Sequence, residues 1–189
     1  MSKRPESLST AQSLFARHGL KKVTTDDIAR DAHVSKATIY KLYRNKQEIL
    51  QDVIRMEMEE LMSRIQAAVD VETTVEGRLR AHLMTRIEAV HEFVHLHAIT
   101  RRSFVDYWIP IQDLRDTYLA RETGMLKETL RQGIETGELT IPNIELTAHF
   151  LSVSLESLEY PWAIEGLDLT VADQVDHMLD TMLDGLRKR

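Results

Sequence analysis

Between Thr24 and Lys46 the chain reads TTDDIARDAHVSKATIYKLYRNK, and this stretch carries three helix-start signals in close succession. Thr24 and Thr25 stand where an N-cap is wanted, with Asp26 and Asp27 in the first turn to meet the positive end of a helix. Ser35 repeats the device for a second helix. Asn45, followed three residues later by Glu48, does so for a third. Ile28 and Ala29 mark the buried side of the first helix, Ile39 and Leu42 that of the second, and Val34 fills the turn between them. Lys36, Ala37, Thr38, Tyr40, Lys41 and Tyr43 remain on the outside of the second helix. That face is short, basic and rich in hydroxyls, and it suits a DNA major groove. The competing reading is a solvated helical hairpin in an all-helical protein.

The charge distribution favours the DNA reading over what the total suggests. The formal net charge is −6. Residues 1–47 hold ten Lys/Arg against four Asp/Glu, a net +6, so the remaining fourteen basic and twenty-six acidic residues carry −12. A basic head on an acidic body turns the head toward phosphates. With no cysteines in the chain, disulfides, thiolate metal sites and cysteine catalysis are all excluded. No apolar run reaches the roughly eighteen residues of a membrane span. MSKRPESLST lacks the apolar segment of a secretion signal, so the expectation is a cytoplasmic protein without a membrane partner.

Helical periodicity runs through the chain. Glu6 to His18 reads as a first helix, with Leu8, Ala11, Leu14 and Phe15 on one stripe and Gly19 as its stop. Lys46 to Asp70 reads as a long helix of roughly 37 Å, unbroken by Gly or Pro and able to act as a lever. Thr73 with Glu76 is the expected cap of the next helix. Pro110 is expected to force a boundary, and Gly137 to end the stretch from Ile111 to Thr136. Asn143 caps a helix whose Ile144, Leu151, Leu155, Leu158 and Trp162 form one stripe, with Leu146, Phe150 and Val153 forming a second. Two apolar faces need two covers, one of them available to another subunit. Thr170 with Asp173 opens a last helix carrying Val175, Leu179 and Met182.

One sequence motif points elsewhere. His91-Glu92-Phe93-Val94-His95 matches H-E-x-x-H, the helix motif of zinc proteases. The usual extension would need glycine at 98 and histidine at 101, where the chain has Ala98 and Arg101. A zinc hydrolase is the alternative function, with non-catalytic metal binding by His91, His95 and His97 as a weaker variant. The DNA-binding reading calls for no metal and no resident cofactor, and on that reading no enzyme is expected.

The head resembles the DNA-binding motif of the TetR (tetracycline-repressor) family. The resemblance rests on Thr24, Thr25, Ile28 and Ala29, the run Val34-Ser35-Lys36-Ala37-Thr38-Ile39-Tyr40, and Tyr43, Asn45, Lys46 and Leu50, preceded by Ala11, Leu14, Phe15 and Gly19. His33 and Ala37 depart from it, since glycine is common at both positions. His tolerates positive φ, so the turn is still expected to form. The resemblance implies an all-α chain with a three-helix helix-turn-helix head over 1–47 and a ligand-binding, dimerising helical body over 48–189. It implies a ligand-released repressor that binds a palindromic double-stranded operator as a homodimer. Thr24, Thr25, Ser35, Lys36, Ala37, Thr38, Tyr40, Lys41, Tyr43 and Lys46 are then the DNA-contact candidates, with hydroxyls and ammonium groups on phosphate. Ile144, Leu151, Leu155, Leu158, Trp162, Val175, Leu179 and Met182 are the candidates for the dimer interface. Phe104, Tyr107, Trp108, Tyr118, Met125 and Phe150 are those for a pocket taking an unidentified small-molecule effector, expected to be aromatic and amphipathic.

Overall fold

The computed structural model describes residues 3–92, 104–158 and 170–186, and every regular element among them is a helix, as expected. In chain order these are α1 (Lys3–His18), α2 (Thr25–Asp31), α3 (Lys36–Leu42), α4 (Lys46–Asp70), α5 (Val75–Glu92), α6 (Phe104–Glu135), α7 (Ile144–Leu158) and α8 (Val171–Leu186). No helix among the described residues is long and apolar enough to cross a membrane. The described residues form two compact units. One holds the chain up to Glu59 with the described part of the segment ending at Leu114. The other holds Glu60–Glu92 and the described residues from Arg115 onward.

In the first unit, α2 packs against α1 and α3. Its buried side chains include ones the periodicity marked, Ala11, Leu14 and Phe15 on α1, Ile28 and Ala29 on α2 and Ile39 on α3, together with Ile49, Val53 and Ile54 on α4. Burial of each large aliphatic side chain contributes about 1.5–3 kcal/mol, enough to hold α2 and α3, which are too short to be stable alone. Gln12 Nε2 donates to Glu57 Oε1 at 2.8 Å, joining α1 to α4. Gly19, at φ +76°, stops α1, its N–H donating to the Phe15 carbonyl at 2.9 Å.

The second unit is organised on α5, which packs against α7 and α8. Val75, Leu79, Leu83 and Ile87 of α5 meet Leu126 and Leu130 of α6, Ala148, Leu151 and Leu155 of α7, and Val175, Leu179 and Leu183 of α8 in one core. Asn143 Oδ1 accepts from Leu146 N at 3.0 Å and caps α7. Thr170 and Asp173 form a reciprocal capping box on α8, with Asp173 N donating to Thr170 Oγ1 at 3.1 Å and Thr170 N to Asp173 Oδ2 at 3.0 Å. After α6 the chain folds back so that Leu139 N donates to the Gly133 carbonyl at 2.9 Å. A Cβ on Gly133 would lie 2.7 Å from Leu139 Cδ1, so any larger residue there would have to displace the Leu139 side chain.

Two expected boundaries move. The cap of α5 is Thr74, whose Oγ1 accepts from Gly77 N at 3.0 Å, one residue after the expected Thr73. Adjacent threonines offer the same hydroxyl, and only the helix phase selects between them. Pro110 makes no boundary, because α6 runs through it from Phe104 to Glu135. A proline there deprives one carbonyl of its N–H partner, a local cost that a helix of 32 residues absorbs.

Candidate nucleic-acid interface

The head positions α3 by local hydrogen bonds that the sequence encodes almost residue by residue. Of the two candidate threonines, Thr24 is the N-cap of α2: its Oγ1 accepts from Asp27 N at 3.2 Å, while Asp27 Oδ2 accepts from Thr24 N at 3.0 Å and Thr24 Oγ1 at 2.7 Å. These Thr24 bonds, together with Arg30, hold the Asp27 carboxyl down at about 2. α2 ends in a Schellman motif, with His33 N donating to the Arg30 carbonyl at 3.1 Å and Val34 N to the Ala29 carbonyl at 2.9 Å. His33 takes the left-handed position usually given to glycine, at φ 53°. Ser35 then caps α3, its Oγ accepting from Thr38 N at 3.1 Å and lying 2.8 Å from Thr38 Oγ1. Asn45 Oδ1 caps α4 by accepting from Glu48 N at 2.9 Å. Glu48 reaches one residue further back than a standard capping box, to Arg44 N at 2.6 Å.

This framework buries Ile39 completely and turns the opposite side of α3 outward. Lys36, Ala37, Tyr40 and Lys41 are exposed there, Tyr40 to 57%. Thr38 is half-buried. Tyr40 Oη and Thr25 Oγ1 lie 3.1 Å apart, so hydroxyls from α2 and α3 form one polar point. Lys36 Nζ is paired with Asp26 across the same gap. The acidic partner was not apparent from the sequence, where Asp26 reads only as a first-turn charge.

Two candidate contacts are placed elsewhere by the fold. Tyr43 is 2% exposed and belongs to the core of the head. It follows Leu42 at the end of α3 in extended backbone, φ −141° and ψ 135°, so the outward helical face assigned to it does not continue that far. Lys46 Nζ donates to the carbonyls of Leu20 and Val23 at 2.7 and 2.9 Å, closing the α1–α2 connection and leaving the phosphate-facing role expected for it.

In the body, the seam expected to meet a second subunit is already covered. Leu151, Leu155, Val175 and Leu179 are at most 2% exposed within the chain's own core, with Ile144 and Met182 packed against it. Stepping by three and four identifies a buried face but not what covers it. The other stripe of α7 is the uncovered one: Leu146, Phe150 and Val153 are 50, 61 and 41% exposed. Phe150 is thus an exposed residue and not part of the wall of the body cavity described below. The side chain of Leu158, those of Phe104, Tyr107 and Trp108, and Trp162 lie outside the described set.

A cavity of about 310 Å³ does open in the body, among the end of α4, α5 and α6. Met125 lines it as expected, whereas Tyr118 is buried without lining it. Its wall holds no Phe, Tyr or Trp and is mixed: Arg78, His82, Arg121, Thr129 and Gln132 stand beside Val69 and Met125. His82 Nε2 lies 3.3 Å from Glu122 Oε1, and Arg86 Nε 3.1 Å from the same oxygen, with all three side chains at most 7% exposed. Burial alone pushes the Glu122 carboxyl up, but Arg86 and the His82 hydrogen bond outweigh it and hold the carboxyl below its usual range. The sequence signal for this trio was weak: polar residues on otherwise buried helical positions, with His82 and Glu122 forty residues apart.

His91 and Glu92 close α5, while Phe93 to His95 and His97 lie outside the described residues. Among the described residues no three His, Asp or Glu side chains group as metal ligands.

Residues 8–53 match the family described as bacterial regulatory proteins, tetR family. The transcriptional repressor KstR2 of Mycobacterium tuberculosis is 27% identical over 196 aligned residues, covering 99% of this chain and 94% of the relative. Among solved structures, the fatty acid degradation regulator FadR from Bacillus halodurans superposes with a TM-score of 0.75 at 22% identity, covering 100% of this chain and 98% of the other. FadR from Bacillus subtilis, in complex with stearoyl-CoA, superposes with a TM-score of 0.72 at 19% identity, covering 96% and 98%. None of these comparisons supports a hydrolase.

Proposed function

We propose that this chain is a TetR-family transcription regulator, a homodimeric repressor that a small molecule releases from a palindromic operator. The observation that carries this reading is the outward face of α3, exposed and basic, locked against α2 by its caps and by the Schellman turn at His33. Ala37 and Lys41 face base edges, Ala37 offering a methyl group to a thymine methyl. Thr25, Ser35 and Tyr40 supply hydroxyls to phosphates, and Lys36 adds its ammonium after exchanging Asp26 for a phosphate oxygen. Tyr43, Thr24 and Lys46 act as framework.

Dimerisation uses the exposed α7 stripe of Leu146, Phe150 and Val153, which water covers poorly and a second copy of the same stripe covers well. Two heads then read half-sites about 34 Å apart or a multiple of that spacing. The effector binds in the body, and its preference for a body conformation that disfavours paired heads is what releases DNA.

A gel shift against the chain's own upstream DNA, with a salt series, tests this. The expected result is a discrete complex whose affinity falls steeply with salt, as phosphate contacts demand. Equal affinity for unrelated DNA of the same length refutes operator recognition.

A further inference from the structure

Lys36 stands where its own helix disfavours it. It is the first residue of α3, at the positive end of the helix, where a cation is repelled by the free N–H groups. What it finds instead is a partner on the preceding helix, its Nζ bonding Asp26 Oδ2. With the two side chains 66 and 48% exposed, water screens this pair, and it adds little to the stability of the fold. α2 and α3 are already fixed by buried Ile28, Ala29 and Ile39, by the caps at Thr24 and Ser35, and by the turn at His33.

The position of the pair tells more than its strength. Tyr40 follows Lys36 by one turn on the same face of α3, and Thr25 precedes Asp26 on α2. The Tyr40 and Thr25 hydroxyls meet at 3.1 Å, next to the bonded ammonium. An ammonium and hydroxyls are the donors that hold phosphate oxygens on DNA. The next acid of that turn, Asp27, is taken by Thr24 and Arg30, which leaves Asp26 facing Lys36. A carboxylate oxygen matches a phosphate oxygen in charge and in accepting an ammonium N–H.

We propose that Asp26 is an internal phosphate surrogate that sets the sequence-independent part of the head's affinity for DNA. Without DNA, it holds Lys36 neutralised and in place. A phosphate reaches the ammonium only by displacing a carboxylate tethered at high effective concentration, so the exchange nearly breaks even. The freed Asp26 then stands among phosphates and repels them. Phosphate contacts carry no base information, so this weakens attraction to every duplex alike. The base contacts of Ala37 and Lys41 are left as a larger share of binding. The inference rests on the outward face of α3 meeting DNA, and it names the residue that restrains that face.

The test is a double-mutant cycle on the full chain with Asp26→Asn, Lys36→Gln and both together. Each protein is titrated over a salt series with the chain's upstream DNA and with an unrelated duplex of the same length. At low salt, Asp26→Asn is expected to bind both duplexes about threefold more tightly per head. It should also steepen the log–log salt dependence by about one per head, since Lys36 then frees a phosphate counterion without returning one to a carboxylate. Lys36→Gln should cost less than about twofold in the parent but about threefold in the Asp26→Asn background. A charge that merely repelled DNA would be relieved equally with or without Lys36. The proposal is overturned if Asp26→Asn fails to tighten binding, if the salt slope is unchanged, or if the two substitutions are additive. The unrelated duplex alone carries the cycle, so loss of operator preference leaves the proposal standing, and an additive cycle leaves operator recognition standing. If neither the parent nor Asp26→Asn binds either duplex, both fall.

Discussion

The head and the body use polar chemistry in opposite ways. In the head, polar side chains sit at helix ends and on the outer face of α3, bonded mostly to neighbours within three or four residues. In the body, the chemically distinctive polar groups are inside, His82 and Arg86 of α5 around Glu122 of α6, while an apolar stripe of α7 is outside. A surface that meets the rigid, charged lattice of DNA phosphates is built by placing donors in advance on short, tightly capped helices. A cavity that selects a small molecule needs charges desolvated and oriented from several helices at once.

The largest expected effect comes from the buried trio. Glu122→Ala leaves Arg86 and His82 in the interior without their anion, a loss of about 3–5 kcal/mol. Replacing all three with apolar residues of similar volume should restore most of it. Thermal unfolding followed by circular dichroism checks both. If the single variant melts with the parent, the interior charges are solvated and the contrast with the head disappears.

The two faces of α7 should separate cleanly. Leu155→Ala removes a fully buried side chain and should cost about 2–5 kcal/mol of folding stability. Phe150→Ala, on the exposed stripe, should change the stability of the isolated chain by no more than about 0.5 kcal/mol yet weaken self-association. Sedimentation velocity alongside chemical denaturation distinguishes them. A Phe150→Ala chain that associates as tightly as the parent would move the interface off this stripe.

In the head the effects are smaller. Tyr40→Phe removes the hydroxyl at the Thr25 point and should weaken operator binding about fivefold, a net contribution of about 1 kcal/mol, without altering sequence preference. An unchanged dissociation constant means that the hydroxyl serves only Thr25. Smallest of all is the pH effect at the α2 cap. Asp27 is exposed and its carboxyl is lowered from 3.8 to about 2, so its contribution is complete above the unfolded value and drains away between roughly pH 4 and 2. Carboxyl NMR should show Asp27 titrating near 2, and Thr24→Ala should return it toward 3.8.

The same contrast explains how much could be read from the amino acids. The helix-turn-helix was legible because its determinants are local: Thr24 to Asp27, Ser35 to Thr38 and Asn45 to Glu48 are all three residues apart. Even the His33 departure was interpretable, since a positive φ is a property of one residue. What failed in the head was spatial reach, with Tyr43 turned inward beyond the last turn of α3 and Lys46 bonded across more than twenty residues to carbonyls. In the body, periodicity located the Leu151–Leu155 stripe but could not say that α5 and α8 of the same chain cover it. His82 and Glu122 meet only because α5 and α6 are juxtaposed, and no spacing rule announces that.

The exposed stripe of α7 has a quantitative consequence for the regulator at work. Were this face to close only against a second copy, as proposed above, operator occupancy would be tied to a bimolecular equilibrium. Below the dimer dissociation constant, the concentration of the reading species rises with the square of the chain concentration. Doubling the chain concentration would then raise the population of paired heads about fourfold, and halving it would cut them by the same factor. On the proposed dimerisation, three apolar side chains on one helix would set a concentration threshold below which the operator stands open even with no effector present.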